Sequence, residues 1–136
     1  MHRADYSDGR FYVLTVPDNF IDFYIMPAKV LNSLRQNIAG NLGVSIEGQG
    51  EISLFVYDNS SFVVESFLDK EATINIVFDE ETEQITDVFT GEIIPGNFRE
   101  APAFRNRKFV KDAFTFEVNI KPHSFRAFTN HPPVKK

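Results

Sequence analysis

The sequence predicts a mainly β protein: an antiparallel β-sandwich of about seven to eight strands with one N-terminal α-helix. Three observations lead there. From Val44 onward, apolar and polar residues alternate in short runs, the two-residue period of a strand with one buried face. Gly, Asp, Asn, Ser or Pro closes each run at a turn position. Upstream, Val30, Leu31, Leu34 and Ile38 recur at helical spacing and give one apolar face.

In chain order, Phe11 to Val16 is a nearly continuous apolar, β-prone run, of the kind that suits a strand buried on both faces. Pro17-Asp18-Asn19 ends it with turn chemistry. Phe20 to Met26 is a second apolar run, broken by Asp22. Pro27 then opens a helix over about 28 to 39, since its missing N–H costs nothing in a first turn. Gly40 is expected at the left-handed position that ends it. Val44 to Glu47 alternates, Gly48-Gln49-Gly50 turns, and Ile52 to Tyr57 alternates again. Asp58-Asn59-Ser60 is a hairpin turn into Ser61 to Leu68, and Asp69-Lys70-Glu71 is the next tip. Ala72 to Phe78 places Ile74, Ile76 and Phe78 on one face. After the acidic tip Asp79 to Glu83, Gln84 to Phe89 is a strand, Thr90-Gly91 a tight turn, and Glu92-Ile93-Ile94 is expected to pair back. Pro95 to Lys108 reads as a long irregular loop. Ala113 to Ile120 is the clearest strand, Lys121-Pro122-His123 turns, and Ser124 to Phe128 is the last strand.

Composition narrows the function classes. The chain has 136 residues, 43% of them apolar, a level that supports a globular core. Fifteen Phe and no Trp place most of the aromatic surface in that core, because Phe has no polar handle. A net charge of −5 argues against a nucleic-acid partner. No apolar run approaches the roughly 20 residues of a membrane-spanning helix, so no membrane partner is expected. There is no Cys, which excludes disulfides and thiolate metal sites. Met1 to Arg10 is polar and holds no signal-peptide core.

Three segments share a resemblance. Phe55-Val56-Tyr57-Asp58-Asn59-Ser60-Ser61-Phe62-Val63-Val64-Glu65-Ser66-Phe67 carries an aromatic Asp-Asn hairpin. Ile85-Thr86-Asp87-Val88-Phe89-Thr90-Gly91-Glu92 carries a D-x-x-T-G-E turn. Phe116 to Phe128 closes with P-x-S-x-R-x-F, here Pro122, Ser124, Arg126 and Phe128. In this order they resemble the C-terminal β-sandwich accessory domains of bacterial glycoside hydrolase-like proteins. The resemblance implies a non-catalytic domain that stabilises or docks on a catalytic domain of the same polypeptide. Residues 1–42 then read as a strand-helix segment that ends a preceding α/β domain, and residues 43–136 as the sandwich domain. On this reading the chain is the C-terminal piece of a larger enzyme. The helix face (Val30, Leu31, Leu34, Ile38), with Phe20 and Phe23, would form or approach the interface. The alternative is a stand-alone carbohydrate-binding module. A small glycosidase is the third possibility.

The residues themselves show no catalytic, cofactor-binding or metal site. His2, His123 and His131 share no ligand spacing. Most of the 19 acidic residues lie at strand tips, where a solvated carboxyl is not raised as a general acid requires. Glu65 is the exception, inside an apolar strand and able to face a partner such as Arg126. No Gly-x-Ser-x-Gly elbow occurs. Gly48-Gln49-Gly50 opens a strand, so it is a turn rather than a phosphate cradle. Phe98 to Lys111 interleaves Arg99, Arg105, Arg107, Lys108 and Lys111 with Phe98, Phe104 and Phe109; a docking surface fits it better than nucleic acid. Sugar platforms favour Tyr and Trp, and Tyr6, Tyr12, Tyr24 and Tyr57 are scattered. Asn59-Ser60-Ser61 matches a glycosylation sequon, but turn chemistry accounts for it.

Overall fold

The structure, a computed structural model, describes residues 2–15, 18–39, 42–101 and 112–131. Its elements are β1 (His2–Tyr6), β2 (Gly9–Val13), a 3-10 turn (Phe20–Phe23), α1 (Ala28–Ile38), β3 (Val44–Glu47), β4 (Ile52–Val56), β5 (Ser61–Ser66), β6 (Ala72–Phe78), β7 (Gln84–Asp87), β8 (Ile93–Pro95), β9 (Asn97–Arg99), β10 (Ala113–Ile120) and β11 (Ser124–Thr129). Among the described residues, β1 and β2 pair with each other and with no other strand. The remaining strands form a four-stranded sheet, β3-β6-β10-β9, and a five-stranded sheet, β4-β5-β11-β7-β8. Every pairing is antiparallel, and the fold is the predicted sandwich.

The alternation read from the sequence sets the inner faces. In register, Val44, Phe78 and Phe114 face inward across one sheet, with Ile46, Ile76 and Phe116 in the next row. The other sheet contributes Ile52, Phe62, Val64, Ile85 and Phe128 to the same core cluster. Phe78 joins the layers, edge-on to Phe62 at 5.7 Å and to Phe116 at 5.7 Å between ring centroids. Phe116 and Phe128 are fully buried, each worth roughly 3 kcal/mol of removed apolar surface.

Two expectations about local structure change. The expected return strand after Thr90-Gly91 is β8, which pairs with β7 and extends to Pro95; the irregular loop then contains one short strand, since after Gly96 the chain crosses to the other sheet, where β9 pairs with β10. Residues so short and so exposed leave no periodic signal, and Pro95 sits on an edge strand where its missing N–H is tolerated. The run at Phe11 is not buried on both faces. Among the described residues the strand is Gly9–Val13, its partner is the polar segment His2–Tyr6, and Phe11 is 62% exposed; Val16 lies outside the described residues. A β-prone apolar run specifies extended backbone, but it cannot supply the second layer that would cover it. The β4–β5 turn falls at Asp58-Asn59-Ser60 as expected, with Ser60 at positive φ (61°).

α1 begins after Pro27 as expected, and Phe20–Phe23 is a 3-10 turn whose cap, Asn19, accepts from the Ile21 N–H at 3.2 Å. The expected terminator, Gly40, lies outside the described residues. Leu31 and Leu34 are buried where α1 packs on β3. The Arg35 guanidinium donates to the carbonyls of Gly48 (2.8 Å), Gln49 (2.9 Å) and Ile52 (3.4 Å). Asn32 Oδ1 accepts from the Gly48 N–H at 2.9 Å. Burial lowers the Arg35 pKa, because desolvation disfavours the charged form. The glycine turn is also a close approach: a Cβ on Gly50 would lie 2.1 Å from the Tyr24 carbonyl oxygen.

Candidate functional site

The three motif segments meet in space. Asp87 ends β7, and its Oδ1 accepts from the backbone N–H groups of Phe89 and Thr90, both at 3.0 Å. Thr90 Oγ1 accepts from the Glu92 N–H, and Gly91 takes φ 71°, the conformation that only glycine adopts without strain. The same turn lies beside the closing strand. Arg126 Nε donates to Asp87 Oδ2 at 2.8 Å and Nη2 to Glu92 Oε2 at 2.5 Å, while Nη1 reaches the Asn119 carbonyl at 3.3 Å. The guanidinium carbon lies 5.0 Å from the Phe128 ring centre, and Phe128 stacks on Phe62 of the Asp-Asn hairpin at 5.4 Å. Burial alone would raise the Asp87 carboxyl. The Thr90 N–H, Arg126 and the Phe89 N–H outweigh it, and the pKa falls below the usual carboxylate range.

Asp87 does not suit general-acid chemistry. A general acid needs a raised pKa and access to substrate. Asp87 has a lowered one and is 2% exposed. Glu65 does not receive Arg126 as expected. In the β5–β11 register Glu65 lies opposite Phe125, and Arg126 lies opposite Val64 on the inward face. A one-residue offset therefore sends the guanidinium to Asp87 and Glu92.

The other sequence candidates scatter. His123 sits in an exposed turn with Nε2 2.8 Å from Asp69 Oδ1. Among the described residues, no group of three or more His, Asp or Glu could hold a metal ion. Of the basic-aromatic segment, Arg99 forms a two-pronged pair with Glu47 at 2.7 and 2.8 Å, which holds its pKa up and links the two edge strands of the four-stranded sheet. Phe98 packs on Phe114 at 5.4 Å. Arg105, Arg107, Lys108, Lys111, Phe104 and Phe109 lie outside the described residues.

Two surface features remain. The first is apolar. Ile21, Tyr24, Ile25, Val30, Ile38 and Leu42 are all more than half or nearly half exposed, within one stretch that precedes β3. The predicted helix face thus divides: Leu31 and Leu34 are spent inside the domain, and Val30 and Ile38 face solvent. The second is a cleft of about 390 Å³ at one end of the sandwich. It opens between the start of β3, the β4–β5 turn, the β6–β7 loop and the end of β11. Phe62 and Phe78 line it together with Tyr57, Asp58, Glu80, Glu81 and Asn130. Nothing in the sequence periodicity pointed to it, because its polar members lie in turns and beyond strand ends.

The family model described as "Probable glycosyl hydrolase, C-terminal domain" matches residues 43–130. The chain belongs to this family. The match begins one residue before β3 and ends one residue after β11, so it spans both sheets of the sandwich and leaves α1 outside. No curated protein and no solved structure matches the chain.

Proposed function

We propose that the chain is a non-catalytic accessory domain of a glycosyl hydrolase, and that it docks on the catalytic domain through the elements just upstream of the sandwich. The exposed apolar side chains of residues 21–42 carry this reading. Apolar exposure concentrated in one stretch of chain is what an interaction surface would present. Arg35, Asn32 and the two buried leucines fasten α1 to the sandwich, so that Val30 and Ile38 are presented on a rigid element. The family match supports a catalytic domain as the partner.

The test is to mix the chain with the catalytic domain of its polypeptide and measure association and thermal stability. Association with a raised Tm of the catalytic domain is expected, and the double variant Ile25→Ser, Ile38→Ser should weaken it without unfolding the sandwich. No association, or association indifferent to that variant, would overturn the reading.

A further inference from the structure

We infer that the outer face of the five-stranded sheet is an interface with a second copy of this chain, and that Glu65 limits the strength of that contact. The inference does not depend on the docking role, which uses residues 21–42. The two sheets differ in what they turn outward. On the four-stranded sheet, Glu47, Asn75 and Glu117 share one outer row. Thr73 and Asn119 share the next, joined by a hydrogen bond of 2.6 Å. That is the polar face a sandwich sheet turns to water.

The five-stranded sheet departs from this pattern. Phe55, Val63 and Ala127 form an outer row in register, and Val88 continues it by donating its N–H to the Ala127 carbonyl at 2.8 Å. In the next row Glu65 stands between Ser53 and Phe125. Phe125 packs edge-on against Phe89, with ring centroids 6.0 Å apart. Phe67 donates its N–H to the Glu51 carbonyl, which extends the ladder by one residue and keeps its ring on the face of Glu65.

The area of this face matches what a dimer needs. Phe55, Phe67, Phe89 and Phe125 are each 46–72% exposed. At roughly 200 Å² per phenylalanine, they leave on the order of 450 Å² of ring surface in water. Homodimer contacts are about 65% apolar, so this much ring surface suits a contact of roughly 700 Å² per copy. A standard stable interface buries about 600–1,000 Å² per copy. A two-fold axis would pack the face against itself, as the two sheets of one domain already pack through their inner faces.

Glu65 opposes the contact. Among the described residues no cation pairs with it, and the two outer rows of its own face carry no Lys or Arg. Each copy would therefore desolvate an uncompensated carboxylate, which places the dimer at the weak, reversible end of its size class.

The experiment is sedimentation equilibrium of the full chain over roughly 1 µM to 1 mM. A reversible monomer–dimer equilibrium is expected, with a Kd on the order of 10–100 µM. Phe125→Ser should weaken it at least about tenfold. Glu65→Gln should tighten it about fivefold or more, because a neutral amide is cheaper to desolvate. Phe55→Ser reads the same face from another strand and serves if Phe125→Ser fails to fold. The double variant Ile25→Ser, Ile38→Ser should dimerise like the parent. A monomer throughout the range would overturn the inference. So would a dimer that is indifferent to the Phe125 or Phe55 and Glu65 variants, or one that is lost in the Ile25, Ile38 variant. A failure here would leave the association test with the catalytic domain untouched.

Discussion

Two hairpins in this molecule are nearly matched in their backbone and opposite in their burial. β1–β2 and β4–β5 each pair five positions in antiparallel register. Each places a serine at positive φ in its turn, Ser7 at 53° and Ser60 at 61°. In β4–β5, Ile52, Phe62 and Val64 are buried between the sheets. In β1–β2, Phe11 and Val13 remain in solvent. Strand pairing sets which residues share a face, but the stabilising term comes from the layer that covers the face. Phe62 and Phe11 are therefore the same residue type in similar local geometry with very different energetic weight.

That contrast can be broken by measurement. The largest effect is expected for Phe62→Ala, which removes a fully buried ring that touches Phe78 and Phe128. Chemical denaturation should show a loss of about 4 kcal/mol. Asp87→Ala should follow at about 3 kcal/mol, because it leaves Arg126 without its buried partner.

The same aspartate gives a pH signature. Its folded pKa is lowered, so its ionised form stabilises the fold above the ordinary carboxylate value of about 3.9. That contribution is lost as pH falls through the lowered folded value. The stability gap between the parent and Asp87→Asn should therefore be constant near neutrality and shrink below about pH 4. A gap that grows on acidification would contradict the assignment.

Arg35→Met should cost about 1–2 kcal/mol by removing the bonds to the Gly48, Gln49 and Ile52 carbonyls. Hydrogen exchange should locate the loss at α1 and the β3–β4 turn. The smallest effect belongs to Phe11→Ser, within about 0.5 kcal/mol by denaturation. A loss comparable to that of Phe62→Ala would show that β1–β2 has a covering layer after all.

The same physics explains what the sequence made legible. Alternation over Ala72 to Phe78 and Ala113 to Ile120 gave both strands and their inward faces, because a sandwich strand writes its burial into every second residue. Val30 to Ile38 gave the helix in the same way. Position in the chain did not announce which residues would meet. Asp87 and Arg126 are 39 residues apart and belong to different motifs, and only the β7–β11 pairing brings them into contact. Glu65 looked the better partner because it lies inside a strand, but one step of register turned it to the opposite face from Arg126. The cleft was hidden for a related reason. Tyr57, Glu80 and Asn130 are ordinary turn and strand-end residues until five elements bring their ends together.

The connectivity also makes the domain mechanically asymmetric. The chain passes from α1 into β3 and then β4, each an edge strand of its sheet. The last strand among the described residues is β11, which lies between β5 and β7 and pairs with β5 over six positions. Tension on the entry side would peel edge strands, breaking ladder bonds in succession. Tension on the exit side would have to shear a central strand from two neighbours at once. In a force-extension experiment, the entry side should yield first and the pairing of β11 should persist to higher load.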